Sequence, residues 1–394
     1  MRSILLRRTM VPMKQAPNII QPCRVARAVC TVLALLLAPP TVQASLAADG
    51  CDAPKPVCAW KSRIVGIKTP NMIASGTVLN NGFIATNRHV AEDHPRVLMR
   101  DDAGGITAAF PQPHPVPVDL VLLRPDGSAG VPPAPVSFQD ERPQQLYVVA
   151  FDQGRNGARV YQPGSWAFYP ANGASTRARI HTDARALPGN SGGAVVDRSG
   201  NLIGILASGD GRISEVIPAA HITSVAAATS REHFDDFTRT GTAIRKCADA
   251  LYDAAPVARD PTAEMVSSIE WNCEASGNKQ LLDQAGQTFG RWWMFGKSRQ
   301  FLERSLALDP DSPNTLMSMA VTLHLDRDLA AELPMLKRYI EIDPSNPQAL
   351  RMAVQVAGTL GDRAFADKVL GHMRNHNPAA LPLAESFLKQ AFGD

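Results

Sequence analysis

The periodicity of the apolar residues changes once along this chain, near residue 230, and that change calls for two architectures in series. From about 60 to 225 the pattern is short apolar runs broken by turn residues. They include Ser75-Gly-Thr-Val-Leu79, Phe83-Ile-Ala-Thr86, Val118-Asp-Leu-Val-Leu-Leu123, Leu146-Tyr-Val-Val-Ala150, Ala194-Val-Val196 and Leu202-Ile-Gly-Ile-Leu206. Runs this short, bounded by turn residues, read as strands rather than helices. Asn81-Gly82 and Ser199-Gly200 lie between such runs as hairpin turns, since Gly enters the left-handed backbone region that tight hairpins need. Nine of the 31 prolines crowd residues 111–143, where they mark loops and edge strands. Many short strands in one stretch mean a sandwich or a barrel.

Beyond about 230 the apolar spacing becomes helical, as in Phe301, Leu302, Leu306 and Leu308, or Leu333, Leu336, Tyr339, Ile340 and Ile342. This region also repeats. Leu308-Asp-Pro310 recurs 34 residues on as Ile342-Asp-Pro344, and His376-Asn-Pro378 follows at the same interval. Pro313 and Pro347, and Leu316 and Leu350, share the period, and Leu282 extends it backward. Paired helices at this period resemble the tetratricopeptide repeat, with the small-residue positions only partly kept. Helical pairs at about 240–275 and 362–392 are expected to cap the stack.

Residues 1–44 hold six basic residues and no acidic one, and they end in the apolar run 29–38, then Pro39-Pro40 and Val42-Gln43-Ala44. That order describes a secretory signal peptide. The apolar run is too short for a comfortable bilayer span, so stable membrane insertion is not expected. Without the leader the formal charge of +3 becomes −3, from 34 basic and 37 acidic residues, and nothing suggests a nucleic-acid partner. Four cysteines remain, Cys51, Cys58, Cys247 and Cys273. An even number in an exported chain favours disulfides, in a periplasmic or secreted setting. Of the three pairings, Cys51–Cys58 with Cys247–Cys273 joins sequence neighbours within separate regions. Zinc is the competing reading, but neither pair has Cys-x-x-Cys spacing or a nearby His pair. The expected organisation is therefore a leader at 1–44, a β domain at 45–230 and a helical repeat domain at 231–394.

The strongest local signal is Leu187-Pro-Gly189-Asn-Ser191-Gly-Gly193. Small residues on both sides let the backbone turn sharply, expose a hydroxyl and aim backbone N–H groups at one point, where they would stabilise an oxyanion. A serine hydroxyl is a weak nucleophile without a positioned base, and the base needs an orienting carboxylate. His89 follows the strand Phe83-Ile-Ala-Thr86, and Asp119 interrupts the apolar run beginning at Val118. A carboxylate there is costly unless paired, and an imidazole N–H is a suitable partner. Each residue alone is ordinary: a lone His is usually a surface or satisfied residue and an Asp a turn residue. Together, in the order His, Asp, Ser and each at a strand end, they read as a catalytic set.

Ala85-Thr-Asn-Arg-His89-Val, Val118-Asp119-Leu-Val-Leu-Leu and Gly189-Asn-Ser191-Gly-Gly-Ala-Val-Val-Asp followed by Gly200-Asn-Leu-Ile-Gly-Ile resemble the trypsin-like serine proteases, closest to the HtrA/Deg branch. The resemblance spans about 60–225 and implies a double six-stranded β-barrel with the triad in the cleft between the barrels. It implies Ser191 as nucleophile, His89 as base and then acid, Asp119 as the carboxylate fixing the His tautomer, and Gly189 and Ser191 as the oxyanion hole. The family normally continues into PDZ domains; here the helical repeats take that place. Arg185 falls where such enzymes line the primary specificity pocket. Pointing inward it would favour an acidic substrate side chain, and pointing outward it would be solvated.

An α/β-hydrolase also carries Gly-x-Ser-x-Gly, but needs a helix directly after the Ser and a His at the end of its triad; Ala194-Val-Val-Asp is instead followed by a turn. No zinc-protease spacing links His89 and His94, and no phosphate-binding Gly loop is present, so no metal or cofactor is expected. The expected partners are a polypeptide substrate and a protein held by the repeats. The competing expectation is a catalytically silent protease-fold scaffold acting as a binding module.

Overall fold

The computed structural model describes residues 51–127, 142–171, 175–209 and 211–393; the leader expected at 1–44 lies outside the described residues. Residues 51–394 form one compact unit. It opens with a short helix α1 (Lys55–Cys58) tied by the Cys51–Cys58 disulfide, whose Cα atoms are 6.0 Å apart.

Strands β1 (Ile64–Lys68), β2 (Ile73–Val78), β3 (Ile84–Thr86), β4 (Val97–Arg100), β5 (Ile106–Gln112) and β6 (Val121–Pro125) close into an antiparallel barrel of order β1-β2-β3-β6-β5-β4. The one-turn helix α2 (Arg88–Ala91) leaves the end of β3. Gly82 turns the β2–β3 hairpin at φ +79°. A second sheet holds β7 (Tyr147–Asp152), β8 (Gly157–Val160), β9 (Ala167–Phe168), β10 (Ile180–Thr182), β11 (Ala194–Val196), β12 (Leu202–Gly209) and β13 (Ser214–Pro218). In place of the six-stranded closed form expected for this half, the described residues make a seven-stranded sheet of order β8-β7-β11-β12-β13-β10-β9. The difference lies at its edges: β8 extends β7 as a hairpin arm, and the two-residue β9 pairs only with β10.

The apolar runs are nearly continuous because most of these strands are covered on both faces. Along β6, Val121 and Leu123 point into the closed barrel while Leu122 points toward the second sheet. Along β7, Tyr147, Val149 and Phe151 join that same central layer, and Val148 and Ala150 pack on the far side. The central layer, with Leu120, Ala194, Ile205 and Ile217, binds the two halves together.

Helices follow: α3 (Ala220–Ala227), α4 (Phe234–Ala254), α5 (Ala263–Ser276), α6 (Lys279–Arg291), α7 (Phe295–Leu308), α8 (Pro313–Leu325), α9 (Leu329–Ile342), α10 (Pro347–Leu360), α11 (Arg363–His376) and α12 (Leu381–Phe392). α3 packs on the central β layer through Ile222 and Val225. From α6 onward the 34-residue period is kept: even-numbered helices begin at Lys279, Pro313, Pro347 and Leu381. Their caps obey it too, since the side chains of Asn278, Ser312 and Asn346 each accept a first-turn amide. The disulfide Cys247–Cys273 staples α4 to α5, with Cα atoms 4.7 Å apart.

The helices are seated on the β region. Phe237 of α4 enters the barrel cluster, and at Gly241 a Cβ would overlap the Glu92 backbone, so only Gly allows this approach. Trp166 and Phe168 pack against the core of the later helices. Buried polar contacts cross the same junction: His181 Nε2 lies 2.8 Å from Asp309 Oδ2, and Lys279 Nζ is bonded to Glu215. Near the surface Arg212 reaches Asp343, and Arg245 grips Asp93 at 2.8 Å.

Candidate active site

His89 stands on α2, where the chain turns out of β3, and Asp119 lies just before β6, the neighbour of β3 in the barrel. Pairing of β3 with β6 therefore brings together two residues separated by 30 positions. Asn87 Nδ2 adds a bond of 3.0 Å to the Asp119 carbonyl oxygen. Both carboxylate oxygens are used on one residue: Oδ1 accepts from the His89 amide at 3.0 Å and Oδ2 lies 2.7 Å from His89 Nδ1. Burial alone would raise the Asp119 carboxyl, but the opposed His89 and its hydrogen bonds, helped by the charge of Arg179, hold it below the ordinary Asp range. The ring is oriented with Nδ1 to the carboxylate and Nε2 on its other side.

Ser191 sits in the turn between β10 and β11. Gly189 and Gly192 have φ of +91° and +88°, and a Cβ at Gly192 would overlap the Ser75 carbonyl oxygen. The turn is sewn to the first barrel by Ser75 and Thr77: the Ser75 amide donates to Ser191 O at 2.8 Å, Ser75 Oγ to Gly189 O at 3.1 Å, and Thr77 Oγ1 to Gly192 O at 2.9 Å. Asn190, 1% exposed, braces it from the other side. Its Oδ1 accepts from the Leu187 amide at 2.7 Å, and its Nδ2 donates to Phe151 O at 3.1 Å and Tyr161 Oη at 2.9 Å. With these bonds made, neither the Gly189 nor the Ser191 amide donates to an acceptor among the described residues, as an oxyanion hole requires. The Ser191 hydroxyl donates to Ala207 O at 3.0 Å.

Arg185, expected near the specificity pocket, is exposed, and its amide donates to Gln162 O at 3.1 Å. Glu92, Asp93 and His94 bring three metal-type donors together. Each has another commitment: His94 Nε2 faces Glu92 at 3.1 Å, and Asp93 is held by Thr242 and Arg245.

Residues 74–205, which contain all three of His89, Asp119 and Ser191, match the family described as the trypsin-like peptidase domain. This stretch is a trypsin-like peptidase domain. Over 137 residues the chain is 27% identical to the serine endoprotease DegS of Escherichia coli, covering 34% of this chain and 39% of that protein. DegS of Salmonella typhimurium gives the same identity, with 34% and 38% covered. The chain thus spans under two-fifths of the length of the curated relatives it matches. Among solved structures, the HtrA-type protease AlgW with tripeptide shares 27% identity, with 44% of this chain and 61% of that one covered and a TM-score of 0.38. No described helix is long and apolar enough to cross a membrane.

Proposed function

We propose that this chain is an exported serine endopeptidase whose helices bind a protein partner or the substrate. The observation that carries the reading is Asp119 holding His89 through both carboxylate oxygens, with the Ser191 turn packed at Gly192 on Thr86, three residues before His89, and its Gly189 and Ser191 amides unengaged among the described residues. Ser191 Oγ would attack the peptide carbonyl as His89 takes its proton. The two amides would hold the tetrahedral oxyanion, and His89 would return the proton to the leaving amine. Water activated by His89 would then cleave the acyl-enzyme. Asp119 keeps the ring in one tautomer and balances the imidazolium. The 34-residue helical pairs support a tetratricopeptide-like stack offering a surface to protein partners, and the two disulfides support an oxidising compartment such as the periplasm.

One observation favours the silent scaffold: the Ser191 hydroxyl rests on Ala207 rather than His89. A single comparison separates the readings. The full chain should cleave unfolded casein and be labelled by a fluorophosphonate, and Ser191→Ala should lose both while melting as the parent does. Equal hydrolysis by the variant, or no labelling of the parent, would sink the endopeptidase.

A further inference from the structure

A cavity of about 400 Å³ lies between the peptidase domain and the helices, with Asp119 on its lining. Its apolar lining comes from Val116, Pro117 and Val118 with Ile244 and Leu308. Its cationic lining comes from Arg88, Arg177, Arg179, Arg239 and Lys279, and Gly277 and Asn278 add the N-terminal end of α6. The two carboxylates on the lining are already paired, Asp119 with His89 and Asp236 with Arg239 at 2.7 Å. Lys279 is paired with Glu215.

Arg179 differs. It is only 5% exposed and its charge reaches Asp119 and Glu215, yet its guanidinium makes no direct ion pair among the described residues. Nη1 donates to the carbonyls of Thr176, Arg177 and Ala178 at 3.3–3.4 Å. Arg177 beside it is exposed and likewise without an ion pair. His114, also on the lining, uses Nε2 on Leu120 O at 2.8 Å and leaves Nδ1 buried with no partner. Five cationic side chains, Arg88, Arg177, Arg179, Arg239 and Lys279, line the cavity against two carboxylates, an excess of positive charge that an anion would balance. Arginine forks together with a helix N-terminus are the usual apparatus for a phosphoryl group. A volume of this size and a half-apolar lining suit a small ligand.

We propose that this cavity binds a small organic phosphate, with the phosphoryl group between Arg177, Arg179 and the start of α6 and the apolar body against residues 116–118. The inference concerns binding alone and does not depend on the peptidase reading. Calorimetric titration of the full chain with phenyl phosphate tests it. The expected result is saturable binding with Kd of about 1 mM or tighter, weakened roughly tenfold or more in Arg179→Gln, as loss of a charge-assisted hydrogen bond implies. Arg177→Gln changes an exposed side chain, so it keeps the test open should Arg179→Gln fail to fold. Inorganic phosphate should bind more weakly than phenyl phosphate, and equal affinities would overturn the role given to the apolar lining. No saturable binding of phenyl phosphate up to roughly 10 mM, or an unchanged Kd in the folded variants, would overturn the site.

Discussion

Asp119 has no oxygen to spare, and that decides what its replacement would do. Asn keeps the shape, but one of its two groups is then a donor facing the ring or the amide of His89, where both contacts need an acceptor. Asp119→Asn is therefore expected to fold and to lose about 10⁴ in kcat through the wrong imidazole tautomer, measured by steady-state peptide hydrolysis beside a melting curve; a loss under tenfold would contradict the role. Gly192→Ala should fail more broadly, because the added methyl meets the Ser75 carbonyl and the backbone is left-handed there. Its lowered melting temperature, with activity lost together, is the check. His89, Asp119 and Ser191 stand out in the sequence as a candidate set because each has a recognisable local setting. Ser75, Thr77 and Asn190 do not, since the partners of Ser75 and Thr77 lie 114 and 115 residues away. The alternation within Ser75-Gly-Thr77 is a signal that these two hydroxyls share one face of β2, but what that face meets is decided by the second sheet.

Among the elements, the helical half was the more readable, since its 34-residue period survives in the helix starts and in their caps. The ends were less so: α11 and α12 end the helical series in the repeat register, whereas the long α4 departs from it. The second sheet was harder to read because β8 and β9 are short edge strands with little apolar patterning. One residue contradicts its own helix. Pro334 lies inside α9, is exposed, and has no amide to donate to the preceding turn. Pro334→Ala should restore that bond and stabilise the chain by about 1–3 kcal/mol, read as a higher melting temperature. A fall in melting temperature would mean that Pro334 itself is needed for α9 to pack.

For the whole molecule, the peptidase region and the helices are joined by buried charge as well as by apolar contact, and no pattern in the chain announces which residues meet. Glu215 on β13 and Lys279 at the start of α6 are 64 residues apart and both under 5% exposed. Burial alone would raise the Glu215 carboxyl, but Lys279 first, with His181 and Arg179, outweighs it and lowers the group from 4.5 to about 2. A depressed carboxyl contributes stability that is complete above its unfolded value and is lost as pH falls toward the folded one. The junction should therefore hold at neutral pH and weaken from about 4.5 down to about 2. Glu215→Gln would leave Lys279 as an unpaired buried charge, a loss of about 3–5 kcal/mol, and would remove this carboxyl from the titration. Urea unfolding at a series of pH values, followed by circular dichroism, should then show the variant less stable at pH 7 and less sensitive to acid across that interval. If parent and variant lose stability with the same slope as pH falls, Glu215 is not the group that ties the helices to the peptidase domain against acid.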